Sequence, residues 1–317
     1  MSATDFSLDP EIAPYLDQLS APDASLRLLA LRQIGDYAEE YPQPFVAATR
    51  DEDAAVRLEA ARALEGVAAV EAVNALADLL EDVSPDVAAA AAESLAEILD
   101  ATAGDALLAR LTKAQGNARA GLLGALRRLR VPAALRPALT SLEDASAVVR
   151  REAVGVLAYL KAEEAVAALG QRAATDPDAE VRFAATAGLV YTQDAVALPF
   201  LLQALQDRNW QVREAAAITL GKTALSGAAE GLLPALQDEA WEVRLKVAHA
   251  LGSLRESRAV PGLGEALSHP ISNLRKEAAN ALGAIGDAAA RPWLTQALTD
   301  GDVEVRKAAQ RALERLP

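Results

Sequence analysis

The chain has 317 residues, is 52% hydrophobic but only 4% aromatic, and carries a formal net charge of -14 at pH 7. That acidity argues against a general nucleic-acid binder, which needs cations to displace phosphate counterions. Because the sequence has no Cys, thiol catalysis, disulfides and thiolate metal sites are excluded. The start lacks the basic and apolar regions of a signal peptide, and charges interrupt every apolar run well short of the ~20 residues that a membrane helix needs. We therefore expect a cytoplasmic protein that does not enter a membrane.

One short pattern, V-R-x-x-A-x-x-A-L, recurs about every 31 residues and is clearest from Val56 to Leu64. We call its Arg, or the residue that replaces it, the anchor. The ten anchors are Arg27, Arg57, Ala88, Arg119, Arg150, Arg182, Arg213, Arg244, Arg275 and Arg306. Apolar residues stand one before the anchor and three, six and seven after it, and this spacing predicts one buried face of a helix.

The residues around each anchor predict where its helix begins and ends. Four residues before the anchor, seven units carry a residue whose side chain can cap a helix: Asp23, Asp53, Ser84, Ser146, Asp178, Asn209 and Asp302. Four units carry a glycine eight residues after the anchor, which suits a helix end: Gly35, Gly221, Gly252 and Gly283.

A second helix is predicted before each anchor helix, as from Leu198 to Asp207. One helix pair cannot bury its apolar faces alone, whereas stacked pairs form a continuous core. The sequence therefore predicts an all-α fold, a right-handed α-solenoid of about ten helix-turn-helix repeats. We expect it to fill residues 1–317 as a single domain.

An Asp six residues before the anchor completes the repeat. With that Asp, the unit resembles the short HEAT-like repeats of the phycobilisome-lyase type over essentially the whole chain. The resemblance implies a solenoid in which these Asp and Arg residues form a structural ladder along the turns between repeats. The ladder residues are Asp51, Arg57, Asp82, Asp144, Arg150, Asp176, Arg182, Asp207, Arg213, Asp238, Arg244, Asp300 and Arg306.

The ladder is interpreted as structural because a catalytic pair would occur once and not seven times. Each anchor Arg lies in the first helical turn, where the helix dipole disfavours a cation, and the Asp six residues earlier can supply the acid that it needs. The ladder is defective where Ala88 replaces an Arg and Lys113 replaces an Asp. We predict a looser seam around residues 82–125.

In the family fold the anchor helices line the concave face, and helical spacing leaves four positions of each helix exposed there. The middle repeats carry mainly Gly and Ala at these positions. Across all ten repeats the same positions, which we call the basic stripe, hold seven cations and three carboxylates. Later repeats carry large apolar side chains instead, which commonly mark an interface. The candidate partner-binding residues are Arg151, Phe183, Trp210, Glu214, Ile218, Trp241, Leu245, His249 and Lys276. For Trp210 or Trp241 taken alone, packing between helices is as good an interpretation.

These features favour a non-enzymatic scaffold or adaptor that holds a protein partner on its concave face, without cofactor or metal. The only histidines are His249 and His269, no His-Glu dipeptide occurs, and no phosphate-binding loop is found. The alternative is a bilin-lyase-like protein, in which a chromophore would stack on the tryptophans and its propionates would meet Arg151. Such lyases often act with a second HEAT-like subunit, so that partner is an expectation too. A role in DNA-base repair ranks third because of the acidity.

Overall fold

The computed structural model describes residues 12–317, which contain helices and turns but no strand. The α-helices in the first half of this range are α1 (Ala13–Leu16), α2 (Ala24–Gln33), α3 (Gln43–Ala48), α4 (Ala54–Ala63), α5 (Val70–Leu79), α6 (Pro85–Ala96), α7 (Gly104–Leu111), α8 (Gly116–Leu129), α9 (Leu135–Ser141) and α10 (Ala147–Leu160). Those in the second half are α11 (Val166–Thr175), α12 (Ala179–Gly188), α13 (Ala197–Ala204), α14 (Trp210–Thr223), α15 (Ala228–Ala235), α16 (Trp241–Ser253), α17 (Val260–Ala266), α18 (Ser272–Ile285), α19 (Arg291–Ala297) and α20 (Val303–Leu313). Every anchor lies in an even-numbered helix, as the repeat predicts.

The helices form two compact units, which meet in sequence at residues 160 and 161. In the first unit the anchor helices α2, α4, α6, α8 and α10 pack side by side in chain order, and α3, α5, α7 and α9 each pack against the anchor helix that follows them. In the second unit α12, α14, α16, α18 and α20 form the corresponding layer, backed by α11, α13, α15, α17 and α19. Each unit is an α-solenoid, so the predicted fold class is confirmed.

The core lies between the two helix layers of each unit, where the recurring apolar positions meet. In α14 the residues one before, three after and seven after the anchor are Val212, Ala216 and Leu220, and all three are fully buried. The equivalent residues of α16 and α18 are buried as well. Small and medium side chains at these positions let neighbouring anchor helices approach closely, which fixes the spacing of the surface they carry.

Within each unit, the ladder joins neighbouring repeats. The guanidinium of Arg182 donates from Nε and Nη2 to both carboxylate oxygens of Asp207, at 2.6 and 2.9 Å. Its Nη1 donates to the backbone carbonyl of Asp176, six residues earlier. The same bidentate pairing connects Arg27 to Asp51, Arg57 to Asp82, Arg213 to Asp238 and Arg275 to Asp300. Arg119 reaches Asp144 through one contact of 3.3 Å.

The acid that neutralises an anchor in these six pairs therefore belongs to the following repeat. The expectation that the Asp six residues before the anchor supplies the acid is wrong for Arg57, Arg182 and Arg213, because that Asp offers its backbone carbonyl to the anchor instead. Its carboxylate also accepts from the amide two residues later, as Asp207 does from Asn209 at 2.8 Å. One Asp thus orders its own turn and binds the previous repeat.

We call each position where an anchor meets the Asp of the next repeat a rung of the ladder. Two rungs differ from the rest. Ala88 and Lys113 stand 25 residues apart, the separation of most paired residues, so the two replacements remove both members of one rung. Arg244 stands the same distance before His269, which replaces the Asp of the next rung. His269 keeps part of the Asp role because its Nδ1 accepts from the amide of Ile271 at 3.1 Å.

The predicted helix starts hold where the residue is Asp or Asn. Asp23, Asp53, Asp178, Asn209 and Asp302 each accept a bond from a backbone amide of the first turn. The side chain of Ser84 makes no such bond.

The predicted helix ends are right for Gly35, which follows α2, and wrong for the other three glycines. Gly221, Gly252 and Gly283 lie inside α14, α16 and α18. A Cβ on Gly221 would stand 2.7 Å from the Cβ of Ala250 and 2.9 Å from its Cα. These glycines therefore serve close contacts between anchor helices.

Candidate functional site

Three aromatic side chains stand on three consecutive anchor helices of the second unit. Trp210 and Trp241 are the first residues of α14 and α16, and Phe183 lies in the first turns of α12. Trp210 is 40% exposed and Phe183 is 38% exposed, whereas Trp241 is more buried. We call these three residues the aromatic row. Because α12 packs on α14 and α14 on α16, the row is held by one continuous helix layer.

The other candidates from this unit lie on the same helices or the next one. Ile218 and Leu245 are partly exposed. Glu214 is partly exposed and lies 3.8 Å from the amine of Lys246. Lys276, on α18, is also partly exposed. These residues lie in the same helix layer as the aromatic row.

His249 projects into solvent, with 70% of its side chain exposed. Its Nδ1 lies 2.8 Å from Glu277 Oε1, on the next anchor helix. Between residues 12 and 317 no group of three His, Asp or Glu side chains is arranged to hold a metal ion.

Several cations of the predicted basic stripe are neutralised by acids that sequence reasoning missed. Arg32 pairs with Glu59 at 3.0 Å, and Arg127 pairs with Glu152 at 3.2 Å. Arg151, which lies in the first unit, is exposed and stands 3.6 Å from Glu152. Glu59 and Glu152 stand two residues after the anchor, on the helix that follows Arg32 and Arg127, whereas Arg151 shares α10 with Glu152. The sequence does contain a sign of these pairs, which is a Glu two residues after the anchor in the repeat that follows an exposed Arg or His. This sign is visible only when two neighbouring repeats are compared.

The predicted stretch of small residues forms a groove in the first unit. It runs along α6, α8 and α10 and encloses about 490 Å³. Ala89, Ala92, Ala120 and Gly124 line it, with Arg127 among its polar residues.

The ladder carboxylates Asp51, Asp82 and Asp207 are held ionised by their partners. The hydrogen bonds from Arg27 lower the pKa of Asp51, and those from Arg57 lower the pKa of Asp82. Burial opposes ionisation of Asp207, but the bonds from Arg182 and from a backbone amide outweigh it, and the pKa of Asp207 is also lowered. These groups are engaged in structural bonds and are not poised for proton transfer.

The chain matches a known protein family along most of its length. The HEAT repeat family model matches residues 12–96, 42–127, 104–190, 169–238 and 229–314. The chain belongs to the HEAT repeat family. The finer likeness to the phycobilisome-lyase type stays a prediction.

Particular solved structures are similar along nearly the whole chain. An engineered protein is 22% identical with a TM-score of 0.56, covering 97% of this chain and 99% of that one. The Escherichia coli protein YibA is 20% identical with a TM-score of 0.55, covering 90% and 97%. A Kap95p structure is 15% identical with a TM-score of 0.63, covering 96% of this chain and 50% of Kap95p. At such identities the likeness shows the fold alone. Among curated protein sequences there is no significant match.

The cytoplasmic location of the protein stays a prediction. No helix within residues 12–317 has the length and apolarity to cross a membrane.

Proposed function

We propose that this protein is a non-enzymatic scaffold that binds a protein partner on its anchor-helix face. The observation that carries the proposal is the aromatic row, which exposes Phe183 and Trp210 beside Trp241 on adjacent helices. Large exposed apolar side chains grouped in this way commonly mark an interface, and tryptophan is a frequent anchor there.

The packing beneath the row favours binding because it limits movement of the helices that carry the aromatic side chains. Gly221 and Ala250 bring α14 and α16 into close contact, and the bond pair from Arg213 to Asp238 joins the same two repeats. A surface that is already ordered loses less conformational entropy when a partner binds. The row is therefore suited to recognition without a large rearrangement.

Similar structures provide independent support. A Kap95p structure concerns its binding to RanGDP, another is a complex of Kap95 with Nup1, and Kap121p was solved bound to the extreme C-terminus of Cdc14p. Those HEAT-like solenoids engage other proteins. By analogy we place the partner on the predicted concave face, and a second HEAT-like subunit is one such partner. Bilin handling rests on the family resemblance alone.

Affinity capture with paired variants tests the proposal. The double variant W210A/W241A should lose partners that the unmodified chain retains. The control V70A/L99A also removes two exposed apolar side chains, both outside the row, and should retain them. Thermal melts of both variants show whether the fold survives. Equal capture by all three proteins would reject the row as the binding surface.

A further inference from the structure

We infer that the aromatic row binds a cationic segment of the partner, one that presents Arg or Lys side chains. This inference rests on the proposed function and adds the chemistry of the partner. The two components are the aromatic faces of the row and the charges that surround them.

The charges around the row are predominantly negative. In the first two turns of α12, α14 and α16 the carboxylates are Glu180, Glu214 and Glu242, and Lys246 is the only cation outside the ladder. Glu180 is exposed, and Glu214 and Glu242 are partly exposed. The first turns of α18 and α20 lack this imbalance. Outside the ladder α18 carries Lys276 and Glu277, and α20 carries Glu304 and Lys307, so each helix has one cation and one carboxylate there. The acidic excess therefore coincides with the aromatic row.

Of the three ladder arginines in these turns, Arg244 adds one partly exposed cation, because His269 replaces the Asp of its rung, whereas Arg182 and Arg213 do not change the balance. Arg182 and Arg213 are buried and each is bonded to both oxygens of an Asp in the next repeat. At the edge of the row Glu239 is largely exposed and lies 3.1 Å from Arg213, and the exposed cation Arg208 holds the equivalent position in the preceding repeat. Glu180 and Glu242 occupy the second position of their helices, where the helix dipole favours the ionised carboxylate. A partner consequently meets negative charge here.

The aromatic faces favour the same occupant. A guanidinium or ammonium group is attracted to the face of a Trp ring, and an adjacent carboxylate strengthens that attraction. An acidic segment would meet more carboxylates than cations at the row, even with Lys246 3.8 Å from Glu214, so charge complementarity favours the cationic segment.

The spacing of the row sets the spacing of the cations. Packed helices lie ~8–10 Å apart, and an extended chain advances ~3.3–3.6 Å per residue. Cations about three residues apart would therefore meet successive helices. A suitable probe is a fluorescein-labelled peptide of repeating Arg-Ser-Gly, compared with a repeating Glu-Ser-Gly peptide of equal length.

Fluorescence anisotropy of these peptides tests the inference on the full chain. We expect the Arg peptide to bind and the Glu peptide not to bind. W210A/W241A should weaken Arg-peptide binding about tenfold, as expected for two lost cation–π contacts. E180Q/E242Q should also weaken binding, whereas E164Q/E314Q, which removes two exposed carboxylates elsewhere in the same unit, should not.

Each other outcome overturns the inference. Equal weakening by E180Q/E242Q and E164Q/E314Q would indicate attraction to the net charge of -14. Preference for the Glu peptide would reverse the chemistry of the occupant. No binding of either peptide, together with Trp-dependent capture of a native partner, would refute the cationic occupant and leave the proposed function intact. Loss of Trp-dependent capture would instead refute the proposed function.

Discussion

At the scale of single residues, one Asp in each ladder repeat has two structural tasks. Asp207 accepts the amide of Asn209 within its own turn and binds both Nε and Nη2 of Arg182 in the preceding repeat. Arg182 is buried, so its charge has little access to water. The energetic importance of the Asp therefore lies in keeping a buried guanidinium paired.

The substitution D207N separates these tasks. Its amide oxygen can still accept from Asn209, but the negative charge opposite Arg182 is gone. Removing one partner of a buried ion pair is costly, so we expect a loss of about 2–3 kcal/mol in the free energy of unfolding, measured by urea denaturation. D178N is the control, because Asn also caps helices well and should cost only a few tenths of a kcal/mol. Equal losses in both variants would show that the pairing has no special importance.

His269 makes the rung after Arg244 dependent on pH. Burial, followed by the charges of Arg244 and Arg275, lowers the pKa of His269, and its neutral Nδ1 accepts from the amide of Ile271. Since protonation is easier in the unfolded chain, its contribution is fully present above the unfolded pKa of ~6.5 and is lost as the pH falls through the lower folded pKa.

The variant H269D should restore the bidentate rung with Arg244. We expect unfolding near neutral pH to become about 1 kcal/mol less favourable. The loss of stability below pH ~6.5 that His269 causes should also disappear. Urea midpoints measured across that pH range compare the two chains. A variant with an unchanged midpoint and an unchanged pH profile would contradict the assigned rung.

At the scale of helices, glycine has different consequences at different positions of the same layer. Gly221 in α14 faces the backbone of Ala250, with a Cβ position only 2.9 Å from the Ala250 Cα. Gly124 in α8 has room, since its Cβ would meet only Glu152 Oε2 at 3.6 Å. Helix propensity favours Ala at both positions, so packing decides the difference.

We therefore expect opposite signs for two identical substitutions. G221A should destabilise by about 1–3 kcal/mol, because α14 and α16 must separate. G124A should stabilise by about 0.5–1 kcal/mol, because it removes the backbone entropy of glycine without a clash. Thermal denaturation of the two variants measures the sign directly. Stabilisation by G221A would mean that the close helix contact is not required.

The seam predicted around residues 82–125 also belongs to this scale. The α6–α8 contact lacks the rung that Ala88 and Lys113 would form, and the buried Nε of Arg119 makes no hydrogen bond within residues 12–317. We expect amide hydrogen exchange in α6–α8 to be faster than in α4, whose anchor Arg57 is paired with Asp82. Exchange no faster than in α4 would refute the seam.

Restoring the rung provides a matched test of its cause. A88R alone places a cation opposite Lys113, and K113D alone has no cation to bind, so neither should stabilise. A88R/K113D should slow exchange in α6–α8 and exceed the sum of the single variants by about 0.5–1 kcal/mol in stability. If the double variant only adds the single effects, the missing rung is not what loosens the seam.

At the scale of the whole chain, sequence periodicity predicted the helices and the outward positions of Phe183 and Trp210, because both follow from positions along one helix, whereas Trp241 is only partly exposed. Trp210 and Phe183 are exposed, as that spacing requires. Contacts between repeats were harder to predict. The pairing of Arg182 with Asp207, and of His249 with Glu277, depends on how far one helix is shifted against the next. The packing role of Gly221 depends on the same geometry.

The ladder gives the entire molecule a common response to acid. The pKa values of Asp51, Asp82, Asp207, Asp238 and Asp300 are all lowered, and these residues occur in both units. Unfolded Asp titrates near pH ~3.9, so each group contributes stability above that value and loses it as the pH falls through its lower folded pKa.

We therefore expect the folded chain to be lost steeply below pH ~4. Each additional proton bound by the unfolded chain costs about 1.4 kcal/mol of stability per pH unit. Urea midpoints followed by circular dichroism from neutral pH downward provide the measurement, and D51N should flatten the profile because one of the depressed carboxyls is absent. Neutralising the net charge of -14 relieves repulsion as the pH falls, which would produce the opposite trend. A midpoint that rises through pH ~4 would show that this repulsion, and not the ladder, controls stability in acid.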